Sequence, residues 1–280
     1  ATSIAMEYAV DDWGIAAMAR KMGKTEDAET FSKRAHYYKN YFDSSIHFIR
    51  PKLEDGSWRT PYDPARSIHT VGDFCEGNGW QYYWYVPQNI PDLIELTGGE
   101  DAFCKRLDEF FTSDETSGAK NDNASGFVGL YAHGNEPSHH VAYLYAMAGQ
   151  PAKTQQLVEH IKRTLYNTSS SGYAGNDDCG EMSAWYVFSA LGFYPVNPAS
   201  GEYVIGSPTV DHAEIMLPGG KKFTIVVKRK GGAGAAYVKS VKLNGHKLDG
   251  YVLKHADIMK GGTLEFEMVA RPKGKVLNLR

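Results

Sequence analysis

Cysteine is scarce in these 280 residues: Cys75, Cys104 and Cys179 are the only three, and no two form a CxxC pair. A disulfide framework and a thiolate zinc site are therefore not expected, and an odd count leaves at least one thiol free. No apolar run approaches the roughly 20 residues that a membrane helix needs. Neither sign of charge dominates. Thirty basic residues face 33 acidic ones, a net charge of −3, so nothing marks a nucleic-acid partner. There is no low-complexity tract. Gly-rich stretches such as 230–235 lack the strand–GxGxxG–helix context of a phosphate cradle and read as turns. At the amino terminus no basic flank precedes an apolar stretch, so no signal peptide is legible. Ser3 runs almost directly into a helix, the kind of start expected of a chain cut from something longer.

Aromatic residues, by contrast, are plentiful. They make up 12% of the chain, with 18 Tyr and 5 Trp, and many crowd into 80–85. Such crowding suits either a thick helical core or a sugar-stacking cleft. Residues 1–200 read as helices and 201–280 as strands. In the first helix Ala5, Tyr8, Asp12, Ile15, Ala19 and Met22 recur at three and four, predicting one buried stripe, with Met6, Met18 and Met22 as core filler. Gly23 ends that helix, and Ala28, Phe31, Ala35, Tyr38 and Phe42 line a second one packed back on it. Further helices are expected at about 79–85, 90–97, 101–111, 138–148, 152–166 and 180–191. The loops between them are long and polar, which is where function tends to sit. After Pro195 the period changes to two. Asn244-Gly245 is a hairpin turn signal, and Leu264, Phe266 and Met268 alternate with polar residues. About five strands fit in 80 residues, too few for a sandwich that covers both its faces.

Three segments combine Gly, carboxylate, Asn and aromatic residues beyond what packing requires. In 75–87 (CEGNGWQYYWYVP) Glu76 opens an aromatic-lined helix and at i,i+4 shares a face with Trp80. An aromatic wall desolvates a carboxylate and favours its neutral form, which suits a general acid; a helix-capping Glu is the alternative. In 134–140 (GNEPSHH) Asn135 and Glu136 offer hard oxygen ligands of the kind calcium takes. His139 and His140, about 100° apart on a helix, cannot both face one metal; a start capped by Ser138 is the alternative. In 175–186 (GNDDCGEMSAWY) Asp177 and Asp178 precede an apolar helix, where they either activate a water or cap the helix. Together the three form the inventory of an inverting glycosidase with a metal. Asp12 reads as a polar contact to a neighbouring loop. Tyr62, Arg66 and His69 lie in an irregular loop that can touch substrate. Asn123 and Asn167 are glycosylation sequons only in a secreted eukaryotic protein.

These blocks, EGNGWQYYWYVPQ, AHGNEPSHHVAYLYAMAGQPAKTQ and GNDDCGEMSAWYVFSALGFYPVNP, resemble the hallmark segments of glycoside hydrolase family 92, as do YAVDDWGIAAMARKMG and VKLNGHKLDGYVLKHADIMKGGTLEFEM. The family comprises calcium-dependent exo-α-mannosidases, largely bacterial. The resemblance implies a mainly α fold: residues 1–200 as the carboxy-terminal part of an (α/α)6 barrel, and 201–280 as strands completing a β-sandwich whose other strands are missing. It implies Glu76 as general acid, Asp178 assisted by Asp177 as base, Trp80, Glu136 and His139 at the substrate, and Asn135 and Glu136 at calcium. Glu181 stands where members commonly carry Gln. The implied reaction is inverting release of terminal α-mannose, with α-1,2 the preferred linkage, from mannans or N-glycans. The enzyme would work in the periplasm, at the cell surface or outside the cell. An inactive carbohydrate-binding fragment and another (α/α)6 inverting glycosidase are the alternatives. Inversion calls for carboxyl groups about 6.5–9.5 Å apart. About eight helices where a closed barrel takes about twelve imply a missing amino-terminal half as partner, and bare apolar surface on both modules.

Overall fold

The computed structural model describes residues 2–68, 72–113 and 124–279. His69 and Asn123 lie outside them. The chain forms two compact units, Ala1–Ser138 and His139–Arg280.

The first unit opens with a helical hairpin, α1 (Thr2–Lys21) and α2 (Thr25–Arg34). Gly23 takes the left-handed φ of 71° that lets the chain turn between them. The buried face of α1 is one residue away from the stripe that apolar size predicts. Met6, Ala9, Asp12, Ala16 and Ala19 point inward, and Asp12 receives Arg34 Nε at 3.0 Å. Ile4, Tyr8, Ile15, Met18 and Met22 point outward and are exposed. Only Met6 of the three methionines is therefore core. Small side chains let α2 approach closely, so the alanine face, not the bulkier one, meets its neighbour.

Two short hairpins follow in this unit, β1 (Phe42–Asp43) with β2 (Phe48–Ile49) and, later, β3 (Phe127–Val128) with β4 (Tyr131–Ala132). Between them lie α3 (Gly79–Tyr82), α4 (Ile90–Thr97) and α5 (Glu100–Thr112). The helix expected to run to Tyr85 is one turn long, and Pro87 bars any continuation past Val86, whose φ is −130°. Most of its aromatic residues are core. Phe48, Trp80, Tyr83, Trp84, Phe103, Phe110 and Tyr131 pack ring on ring, with centroid separations from 4.8 to 6.4 Å.

The expected helix 138–148 does not form as one piece. A 3-10 turn at Val141–Tyr143 leads into a single α turn, α6 (Leu144–Met147). Nearly every side chain here is buried, so neighbours and not helical period set the path. Two regular helices follow, α7 (Pro151–Thr164) and α8 (Glu181–Leu191). From Phe193 strands take over: β5 (Phe193–Tyr194), β6 (Glu202–Ile205), β7 (His212–Met216), β8 (Lys222–Lys230), β9 (Tyr237–Leu243), β10 (His246–Lys247), β11 (Val252–Lys254) and β12 (Gly262–Val269), with one helical turn, α9 (His255–Ile258), before β12. Among the described residues seven strands thus follow residue 201, where about five were expected; β10 and β11 are too short to show a period. They form a five-stranded sheet, β10-β9-β12-β8-β7, and a three-stranded one, β11-β6-β5. The pair β8–β12 is parallel and its neighbours are antiparallel. Asn244 (φ 51°) and Gly245 (φ 82°) make the tight turn between β9 and β10.

Both sheets feed one core, which holds Phe193, Ile205, Leu253, Phe223, Ile225, Leu264, Phe266 and Met268. The other face of the larger sheet is not the bare apolar surface expected of an unfinished sandwich. It carries lysines paired with glutamates, Lys222 with Glu214, Lys228 with Glu265, and Lys230 and Lys239 with Glu267, beside Thr224 and Val226. That is the alternation of a sheet with one solvated face, here in a mixed sheet.

Helix α7 is tied to the strand region by buried polar contacts. Gln155 Oε1 accepts from the Val238 amide at 3.0 Å, and Gln156 exchanges two hydrogen bonds with Leu277. Lys162 Nζ donates to the Ser207 carbonyl at 2.6 Å and Thr209 Oγ1 at 2.5 Å, and lies 3.3 Å from Glu159. Burial nevertheless pulls the Lys162 ammonium down from its ordinary 10.5 to about 8. The folded state thus releases this proton first, and between about pH 8 and 10.5 the unfolded chain binds more protons. Stability from this group rises with pH across that window. Wild type should gain about 2 kcal/mol from this source between pH 7.5 and 9.5 in urea unfolding, a gain that Lys162→Met abolishes. An equal slope in the two proteins would refute it.

Candidate active site

The turn that carries Glu76 is built by its neighbours. Asn78, fully buried, caps α3: its Oδ1 accepts from the Gln81 amide at 3.0 Å and its Nδ2 donates to the Ala65 carbonyl at 3.1 Å. Ser67 Oγ donates to the Gly77 carbonyl at 2.9 Å, and the Trp80 amide to the Pro64 carbonyl at 3.1 Å. Gly79 has no room for a side chain, since a Cβ there would overlap the Tyr62 hydroxyl and sit 3.2 Å from Pro64. Tyr62 itself donates to the Ile49 carbonyl at 2.7 Å, a structural bond that occupies its hydroxyl.

Glu76 is neither the helix cap nor a helical residue. It precedes α3 by three positions and has φ 53°, a left-handed conformation that costs a non-glycine residue on the order of 1–3 kcal/mol. The i,i+4 relation to Trp80 therefore does not exist. The Glu76 carbonyl accepts from Asn135 Nδ2 at 2.7 Å. Its side chain is half-buried, as is that of Trp80, whose ring packs on Phe48 and Phe110. The first unit thus brings Glu76, Trp80 and the Asn135-Glu136 pair into one neighbourhood, through Asn135 and through contacts of α3 with the 3-10 turn Glu136–Ser138.

A calcium ion asks for six to eight oxygen ligands. With Nδ2 committed to Glu76, the buried Asn135 amide keeps its oxygen as acceptor, and the Glu136 carboxylate adjoins it in sequence. Both are oxygen donors of the kind a hard cation takes. Among the described residues no group of three or more His, Cys, Asp or Glu could hold a metal. Backbone carbonyls, water and substrate hydroxyls would have to complete the shell.

In the second unit the acidic pair divides its labour. Asp177 Oδ1 accepts from the Ser183 amide at 2.9 Å and from Ser183 Oγ at 2.7 Å, satisfying an orphan N–H in the first turn of α8. Asp178 is exposed. It begins a run of three left-handed residues, Asp178 (φ 45°), Cys179 (φ 57°) and Gly180 (φ 94°), that delivers the chain into α8. Backbone strain of this sort clusters at functional sites. Of the pair, Asp177 serves the start of α8 and Asp178 faces solvent.

His139 is buried. Its Nδ1 lies 3.1 Å from Glu181 Oε1, and its carbonyl accepts from Trp185 Nε1 at 3.0 Å. It sits in a turn and not at the start of a regular helix, so Ser138 caps no helix there. Sequence reasoning missed Asn78, although Asn78-x-x-Gln81 is a capping-box pattern. It also missed the Asn135–Glu76 and Glu181–His139 contacts, which link residues far apart in the chain and leave no local signal.

Residues 1–270 match the glycosyl hydrolase family 92 catalytic domain. A family 92 α-mannosidase of Bacteroides thetaiotaomicron, solved in complex with mannoimidazole, superposes with a TM-score of 0.90 at 38% identity, over 98% of this chain and 36% of that one. An inverting mannosidase of the same family and organism gives 0.85 at 37% identity, over 97% and 38%. An uncharacterized secreted glycosidase of the fungus Arthroderma benhamiae is 27% identical over 94% of this chain and 35% of its own. The chain spans somewhat more than a third of the length of these relatives. The two strained carboxylate turns thus lie within a family match that reaches from the first residue to the 270th, and the chain belongs to glycosyl hydrolase family 92.

Proposed function

We propose that this chain is part of an exo-acting, inverting α-mannosidase that releases terminal mannose from α-mannosyl glycans, α-1,2 linkages foremost. The observation that carries the reading is the pair of left-handed carboxylate residues, Glu76 and Asp178, each held by its own hydrogen-bonded turn in a family 92 chain. Glu76 protonates the glycosidic oxygen as the bond to C1 breaks. Asp178 takes a proton from the water that attacks C1, and Asp177 keeps the turn beneath it in shape. The exposed part of Trp80 meets the pyranose, and His139 and Glu136 contact its hydroxyls. Asn135 and Glu136 would hold calcium, whose bound charge polarises sugar hydroxyls and favours an oxocarbenium-like transition state. The related mannosidases support the substrate, and the secreted fungal relative supports work outside the cytoplasm.

Within this reading, 1–200 contribute to an (α/α)6 barrel and 201–280 to a β-sandwich. The outward face of α1, with Ile4, Tyr8, Ile15, Met18 and Met22, packs against an amino-terminal half of the same polypeptide.

The test is hydrolysis of α-1,2-, α-1,3- and α-1,6-mannobiose by the natural protein carrying this sequence, followed by NMR of the first-formed anomer. Activity should favour the α-1,2 disaccharide, disappear on chelation and return with calcium. Binding without turnover would identify a carbohydrate-binding unit, and activity indifferent to chelation another kind of inverting glycosidase.

A further inference from the structure

The left-handed conformation of Glu76 is one that a glutamate keeps only where its surroundings hold it. Two planar peptide units meet at its Cα, and their orientations set where the side chain points. The unit after it is held by Asn135, whose Nδ2 donates to the Glu76 carbonyl at 2.7 Å. The unit before it is held by Tyr82. That phenol donates to the Cys75 carbonyl at 3.0 Å and to Glu7 Oε1 at 2.8 Å. A carbonyl and a carboxylate can only accept, so the one phenol hydrogen is shared between them. Burial and the Glu7 carboxylate beside it push the Tyr82 phenol far above its ordinary range, so it stays a donor.

Tyr82 is 2% exposed, and its ring centroid lies 5.6 Å from that of Phe74. The same ring closes on the other neighbour of Glu76: a Cβ at Gly77 would come within 3.2 Å of it. Helix α1 braces the segment as well. Ser3, fully buried, gives its amide to the Asp73 carbonyl at 3.1 Å and takes the Cys75 amide on Oγ at 3.0 Å. Glu7, four residues on and so on the same face of α1, is the partner of the phenol. We infer that Tyr82 is a positioning residue for Glu76: its hydroxyl, steadied by Glu7 from α1, fixes the Cys75–Glu76 peptide and so directs the carboxyl to the glycosidic oxygen. The inference rests on the reading of Glu76 as general acid.

Rates on α-1,2-mannobiose and on a dinitrophenyl α-mannoside, measured on the natural protein carrying this sequence, test it. The disaccharide needs a proton on its leaving oxygen, and the dinitrophenolate does not. Tyr82→Phe keeps the ring against Phe74 and Gly77 and removes the donor. It should lower kcat on mannobiose about 10- to 100-fold, as misplacement by about 1 Å does, with KM and the dinitrophenyl rate within about threefold of wild type. Equal losses on the two substrates would reveal a merely structural role and overturn the inference. Tyr82→Phe also leaves the Glu7 carboxylate without its donor, so a second variant removes both groups. Glu7→Leu combined with Tyr82→Phe should melt closer to wild type than Tyr82→Phe alone, while the Cys75 carbonyl still lacks the phenol. Its mannobiose rate should stay low. Recovery of that rate along with the melting temperature would overturn the inference too. Crystal structures add a readout that needs no turnover: in the double variant Glu76 should be displaced or occupy more than one position. A Glu76 unmoved there would overturn the role of Tyr82 whatever the rates. Glu76→Gln judges the functional reading separately. Near wild-type hydrolysis of mannobiose by that variant ends the acid assignment, while the crystal structures still settle what Tyr82 holds. A defective Glu76→Gln beside an unimpaired Tyr82→Phe ends only the role of Tyr82.

Discussion

Glu76→Gln should lower turnover of α-linked mannobiose by about 10²- to 10⁴-fold, the usual consequence of losing a general acid. Glutamine has nearly the same shape and cannot deliver a proton. The turn should survive, because the neighbours hold it through backbone atoms: the Glu76 carbonyl receives Asn135, and the Gly77 carbonyl receives Ser67. Melting temperature and calcium affinity should therefore stay close to wild type. A nitrophenyl mannoside, whose leaving group needs little protonation, should lose much less. Near wild-type rates on mannobiose would end the assignment of Glu76.

The adjacent aspartates should behave oppositely. Asp178→Asn removes a base and should reduce kcat by a similar factor of about 10²–10⁴ with little change in stability. Asp177→Asn keeps an oxygen that can accept from Ser183, so it should retain most activity and most stability. Asp177→Ala loses that acceptor and should cost about 1 kcal/mol, the ordinary worth of a helix cap. Rates and urea midpoints of the three variants separate the two roles. Severe loss of activity in Asp177→Asn, with Asp178→Asn unaffected, would exchange the assignments.

Much of the frame was legible in the residues themselves. Ile90–Thr97 forms the helix its pattern predicts, closed by Gly98. Asn244-Gly245 turns the predicted hairpin, and β12 buries Leu264, Phe266 and Met268 while leaving Glu265 and Glu267 on the other face. In each of these the deciding interaction is local. What was not legible depends on neighbours distant in sequence. The inward face of α1 is chosen by how near α2 can come, which favours alanine over isoleucine. The path of 138–148 follows burial on all sides, where no period distinguishes inside from outside. At the site, the three motifs pointed to residues that turn out to be strained or specifically bonded. The positive φ of Glu76 could not be read from its side-chain type, because Glu does not normally mark such a turn, whereas Asp178, beside Gly180, is of a type that enters the left-handed region more readily.

The close fit of Gly79 against Tyr62 also has an evolutionary reading. A methyl group at 79 would occupy the place of the tyrosine hydroxyl, and that hydroxyl is itself fixed to the Ile49 carbonyl. Position 79 cannot gain a side chain while Tyr62 stands. Lineages that acquire a side chain at 79 should be those that have first exchanged Tyr62 for phenylalanine or something smaller, and the reverse order should be rare. The two sites, 17 positions apart, should therefore change as a pair among homologues, and the order of the two changes on a reconstructed tree would show which one opened the way.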